Sequence, residues 1–132
     1  MDDELIERAR EVQKRAYAPY SHFPVGAALR TDDGTIVVGV NVENASYPLG
    51  CCAERVAVYS AVAQGHQHFV RIAIVGPGPE VITPCGGCRQ VLREFGDLEI
   101  VMAEASGVKE PRIMRLEDLL PLSFGKGDMD GV

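Results

Sequence analysis

Apolar residues recur at helical spacing near the start of the chain: Leu5, Ile6, Ala9, Val12, Ala16 and Tyr17, with charged residues between them. This pattern predicts an amphipathic helix over residues 3–17, ended by Pro19. It then gives way to runs of small and β-branched residues over 23–29 and 36–42. Asp33-Gly34 between them is a hairpin signal, so the two runs read as antiparallel strands. Residues 43–50 are rich in Asn, Ser, Pro and Gly and read as a loop. A second helix is expected over 52–63. Ala53, Val56, Ala57, Val58, Ala61 and Val62 make it apolar on most sides, as a buried helix would be. Gly65 is its stop.

A strand over 70–75, a Pro77-Gly-Pro79 loop, a helix over 86–95 and a strand over 98–103 complete the regular pattern. Ile113 and Met114 suit a short edge strand, 116–120 a helical turn before Pro121, and 125–132 a disordered tail. The order is helix, hairpin, then alternating helix and strand. Right-handed crossovers make the last three main strands parallel, with helices packed on the sheet. The class is α/β, in a single domain spanning 1–132, with no internal repeat and no linker.

Composition narrows the function. The chain has 132 residues, 46% hydrophobic and 24% charged, with a formal net charge of −6. No Lys/Arg cluster stands out, which argues against a polynucleotide partner. No apolar run approaches the length of a bilayer span. The acidic start lacks the pattern of a secretory signal. Four cysteines in such a chain point to metal or redox chemistry in a reducing cytoplasm.

Three of those cysteines carry the sharpest signal. Cys52-Ala-Glu54 is followed about thirty residues on by Pro84-Cys85-Gly-Gly-Cys88. Cys52, Cys85 and Cys88 can hold one zinc ion and leave its fourth position open, the mark of a catalytic site. In the predicted order, both helix starts fall on one sheet edge, where open α/β sheets tend to hold ligands. Three thiolates outweigh the ion by one charge. Arg55, beside Glu54, is placed to donate to a cysteine sulfur and offset part of the excess. Glu54 fits a proton-transfer role only at a helix tip, because residues i and i+2 share no helical face.

Cys51 reads as a small core residue, His66 and His68 as solvated loop residues, and His22 as structural. A redox dithiol at Cys85 and Cys88 would leave Cys52 and Glu54 without a role. A structural zinc module would need a fourth protein ligand, and Cys51 is badly placed to be one.

A ligand-x-Glu pair followed by Pro-Cys-x-x-Cys is the pattern of zinc deaminases. Long stretches around it extend the likeness: residues 20–28 (YSHFPVGAA), 41–50 (NVENASYPLG), 52–55 (CAER), 84–91 (PCGGCRQV) and 119–124 (LLPLSF). With these the chain resembles the small, three-cysteine, homotetrameric cytidine deaminases. The resemblance implies a three-layer α/β/α sandwich around a mixed five-stranded sheet. It implies one zinc per chain on Cys52, Cys85 and Cys88, and Glu54 as the proton shuttle. Asn41 and Glu43 would bind the ribose, chiefly its 3′-hydroxyl. Phe23 would pack on the pyrimidine, and the Ala53 backbone would lie near the base edge. Tyr47 and Phe124 would reach a neighbouring subunit's pocket.

The implied reaction is hydrolysis of cytidine and 2′-deoxycytidine to the uridines in pyrimidine salvage. Deamination of a blasticidin-like nucleoside antibiotic shares the zinc motifs. The Asn41-x-Glu43 pair favours an ordinary nucleoside. A polynucleotide-editing deaminase should carry a basic groove with exposed aromatics. A zinc-stabilised interaction domain is the non-enzymatic alternative.

Overall fold

The computed structural model describes residues 2–130. They form one mixed five-stranded sheet with helices on both faces. In chain order these are α1 (Asp3–Gln13), β1 (Gly26–Thr31), β2 (Ile36–Val40), α2 (Ala53–Ala63), β3 (Phe69–Gly76), α3 (Gly86–Arg93), β4 (Glu99–Glu104), β5 (Arg112–Arg115) and α4 (Leu116–Leu119). The strand order is β2-β1-β3-β4-β5. β1 is antiparallel to both β2 and β3, so β2 and β3 point the same way. β4 is parallel to β3, and β5 closes the edge antiparallel. The expected common direction of β2, β3 and β4 is therefore present, with β1 inserted between the first two.

Strand alternation assigns each face its helix. Ala28, Ala73, Val75, Val101 and Ala103 pack with Leu5, Ile6 and Ala9 of α1. These mostly small residues let a single helix sit close. A side chain at Gly26 would place its Cβ only 2.1 Å from the Ala9 carbonyl oxygen, so α1 could not seat over a larger residue there. The opposite face carries the larger Leu29, Ile72, Ile74, Ile100 and Met102, covered by α2 and α3 through Ala57, Val58, Ala61 and Leu92. Full burial of each such large side chain contributes about 1.5–3 kcal/mol. No helix among the described residues is long and apolar enough to cross a membrane.

Several ends differ from the periodic pattern. α1 stops at Gln13, short of residue 17. Tyr17 leaves the helix because its N–H donates to the Asn41 carbonyl and its own carbonyl accepts from the Glu43 N–H. β1 begins at Gly26, not residue 23, because the Asn41 side chain takes the Val25 N–H and donates to the Phe23 carbonyl. β2 stops at Val40, and Val42 pairs instead with Cys51. α3 ends at Arg93, ahead of residue 95. In the expected tail, residues Lys126–Asp128 form a 3-10 turn, with the Gly125 N–H donating to Asp128 Oδ2 at 2.7 Å. Residues 131–132 of that tail lie outside the described residues.

Candidate functional site

Cys52 is the N-cap of α2 and Cys85 the N-cap of α3, both with extended backbone. α2 follows β2 and α3 follows β3, strands of the same direction, so the two helix starts meet at one edge. Cys88 lies one turn into α3, and its N–H donates to Cys85 Sγ at 3.4 Å. Sγ of Cys52 lies 3.8 Å from Sγ of Cys85, and Cys85 Sγ lies 3.4 Å from Cys88 Sγ. All three sulfurs fall within 4.8 Å of one another. Sulfurs held by one tetrahedral zinc, at a Zn–S length near 2.3 Å, lie about 3.8 Å apart. The donor set and its spacing therefore fit zinc, with three protein ligands and room for a fourth. This is the only such cluster among the described residues, and His66 and His68 form none.

Electrostatics at this edge follows from the same placement. Two helix N-termini direct partial positive charge at the sulfurs. The Arg55 Nη2 lies 3.5 Å from Cys52 Sγ. The Cys52 thiol is drawn below its ordinary value, first by the Cys88 thiol that hydrogen-bonds it and then by Arg55. Cys88 moves the opposite way for the same reason, and burial reinforces its rise. Arg55 Nε is buried and has no hydrogen-bond partner. The guanidinium thus reaches the thiol cluster through Nη2 alone. Glu54, in the first turn of α2, is only 5% exposed. Burial pushes its carboxyl up to about 6, and the charge of Cys52 adds to the rise.

Cys51 is half-buried, not part of the core that the sequence pattern suggested. It works through its backbone. Its N–H donates to the Val42 carbonyl at 2.9 Å, and its carbonyl accepts from the Val42 N–H at 3.0 Å. This bridge holds Glu43, the next residue after Val42, beside the chain that enters Cys52.

A cavity of about 270 Å³ opens there, lined by Tyr20, Ser21, Glu43, Asn44, Tyr47 and Gly50. The rings of Tyr20 and Tyr47 stand 6.0 Å apart. Glu43 Oε1 accepts from the N–H groups of Tyr20 and Ser21 at 3.1 and 3.0 Å. Hydrogen bonds from Ser21, the hydroxyl first, hold the Glu43 carboxyl below its ordinary value. Asn41 clamps Phe23 and Val25 at 2.9 Å each. Phe23 remains 44% exposed, and the Ala53 side chain is fully buried at the start of α2.

Phe124 does not line this cavity. It is 61% exposed and is held from α3. Gln90 Nε2 donates to the Phe124 carbonyl at 2.9 Å, Arg93 Nε to Ser123 Oγ at 2.9 Å, and Arg89 Nη1 to the Leu119 carbonyl at 2.6 Å. The helix that carries Cys88 therefore also fixes the direction of the C-terminal segment. Sequence reasoning missed the roles of Tyr20, Ser21 and these three α3 side chains. Tyr20-Ser21 belongs to a quoted stretch but has no spacing signal of its own.

Comparison with known proteins places this geometry among relatives. Residues 1–104 match the family model described as the cytidine and deoxycytidylate deaminase zinc-binding region. The chain is 40% identical over 130 residues to a cytidine deaminase of Sporosarcina psychrophila, covering 96% of this chain and 93% of that protein. It superimposes on the crystal structure of a cytidine deaminase from Burkholderia pseudomallei with a TM-score of 0.88 and 48% identity, covering 94% of this chain and 99% of that one. A blasticidin-S deaminase of Bacillus cereus is more distant, 33% identical over 133 residues, covering 93% of this chain and 91% of that protein.

Proposed function

Because the chain belongs to the cytidine and deoxycytidylate deaminase family, we propose that it hydrolyses cytidine and 2′-deoxycytidine to the corresponding uridines, releasing ammonia, with zinc as its cofactor. The observation that carries this reading is the meeting of three thiols and one buried carboxyl at two helix starts. Cys52, Cys85 and Cys88 are the zinc ligands. Bound there, zinc supplies a Lewis acid that gives water a pKa near 7, and so a nucleophile at neutral pH.

The protein's own groups do the rest. Glu54 receives a proton from the attacking water as its oxygen bonds to C4 of the cytosine. It returns that proton to N3 as C4 becomes tetrahedral. It then carries the second water proton to the amino group, the C4–N bond breaks, and ammonia leaves as the C4 carbonyl forms. One carboxyl can serve in both directions when its pKa lies near the working pH, and burial brings Glu54 to about 6. Arg55 offsets the surplus thiolate charge, which would otherwise weaken the Lewis acid.

Asn41 and Glu43 hold the ribose, Phe23 packs on the pyrimidine, and the Ala53 backbone meets the base edge. Binding energy from the sugar, remote from C4, positions the ring for attack. The preference for an ordinary nucleoside over a blasticidin-like antibiotic rests on Glu43 lining the cavity, and on the lower identity to the blasticidin-S deaminase. Side-by-side turnover tests it. Cytidine should be converted to uridine and ammonia far faster than blasticidin S; the opposite ranking would favour the antibiotic.

The same proposal includes a single domain acting in the cytoplasm, supported by one shared sheet and by four free thiols. It also includes a homotetramer with shared sites. Phe124 is 61% exposed and lies outside the cavity that Tyr47 lines in its own chain, and aromatic residues are enriched at interfaces. Phe124→Ala should lower kcat/KM by about 30-fold, the scale of a 2 kcal/mol interface anchor, without loss of zinc. Mixing Phe124→Ala subunits with Glu54→Gln subunits should restore activity, because a hybrid can hold one intact composite pocket. No rescue in hybrids shown to form, or a fully active monomer, would remove the shared site.

A further inference from the structure

We propose that Ser21 is a positioning residue that locks Glu43 and Phe23 into one frame, leaving Glu43 a single acceptor site for the 3′-hydroxyl of a nucleoside. This inference rests on the ribose role of Glu43 given above. A carboxylate offers about four lone-pair sites, and a hydroxyl offers one hydrogen and two acceptor sites. On Oε1 of Glu43, the N–H groups of Tyr20 and Ser21 occupy both positions, at 3.1 and 3.0 Å. On Oε2, the Ser21 hydroxyl occupies one. One acceptor site remains on a carboxylate that borders the cavity.

The Ser21 hydroxyl is spent in both directions. Its hydrogen goes to Glu43, and its oxygen accepts from the Phe23 N–H at 3.1 Å. One side chain thus fixes the rotamer of the sugar contact and the backbone of the base contact. Asn41 grips the Phe23 carbonyl from the other side at 2.9 Å, so the Phe23 peptide groups are held at both ends. Ser21 is exposed, and removing its hydroxyl opens no core.

The test is a cycle between side chain and substrate. Cytidine and 3′-deoxycytidine are compared on the unsubstituted enzyme, Ser21→Ala, Ser21→Thr, Ser21→Cys and Glu43→Gln, with zinc content measured for each. Ser21→Ala should raise KM for cytidine by about 3- to 10-fold, the scale of one net hydrogen bond, with kcat changed less and zinc retained. The penalty for lacking the 3′-hydroxyl should shrink in Ser21→Ala. Threonine should restore it, whereas cysteine, a weak donor, should not. The same loss on both substrates in Ser21→Ala, with a selective loss in Glu43→Gln, would overturn the positioning role alone. Equal loss on both substrates in Glu43→Gln would remove the ribose reading and this inference with it.

Discussion

Replacing Glu54 with glutamine should lower kcat by roughly 10²–10⁴-fold, the usual contribution of a positioned acid–base group, and should leave one zinc per chain. The amide keeps the size of the carboxyl but cannot accept and return a proton. Glu54 lies at the first turn of α2, one residue beyond the buried Ala53, and is itself almost fully buried. Solvent would therefore have little access to replace it as a proton carrier. Burial raises its carboxyl to about 6. Turnover by Glu54→Gln within a few-fold of the unsubstituted enzyme would assign the shuttle to another group.

Cys52→Ala should lose zinc and activity together, whereas Cys51→Ala should keep both. The two cysteines are neighbours, and the structure separates their work. Cys52 directs its sulfur at Cys85 and receives Arg55, while Cys51 serves through two backbone hydrogen bonds to Val42 that alanine would preserve. Losing Cys52 leaves two ligands and an Arg55 guanidinium without its sulfur. Metal affinity should fall by more than about 100-fold, the upper range for loss of an outer-shell partner alone. Elemental analysis of the purified variants decides it, and zinc retained in Cys52→Ala but lost in Cys51→Ala would reverse the ligand assignment.

The thiol cluster was legible before any coordinates because topology does the gathering. Each cysteine motif lies where a strand hands over to a helix, and strands of common direction place those transitions at one edge. Inserting β1 between β2 and β3 changes the strand order but not those directions. The alternation in β3 and β4 likewise reads directly as two faces, large residues under α2 and α3 and small ones under α1.

What escaped the sequence is backbone claimed by side chains. Asn41 takes the Val25 N–H and holds the Phe23 carbonyl, so β1 starts late although its residues suit a strand. Tyr17 continues the apolar spacing of α1 yet pairs with the segment around Val42. Ser21 meets Glu43 across 22 residues of sequence, and Arg93 meets Ser123 across 30. Periodicity carries no information about such pairs, because each depends on where two loops or a helix face and a loop come to rest. The lining of the cavity beside Glu43 was for that reason only half visible.

The most direct test of zinc-dependent deamination at this thiol cluster is to strip the purified enzyme with a chelator and titrate zinc back while following conversion of cytidine to uridine. Activity should vanish on stripping and return in proportion to added zinc, reaching its plateau at one ion per chain. Full activity in the stripped enzyme, or a zinc-loaded enzyme that leaves cytidine unchanged, would contradict it.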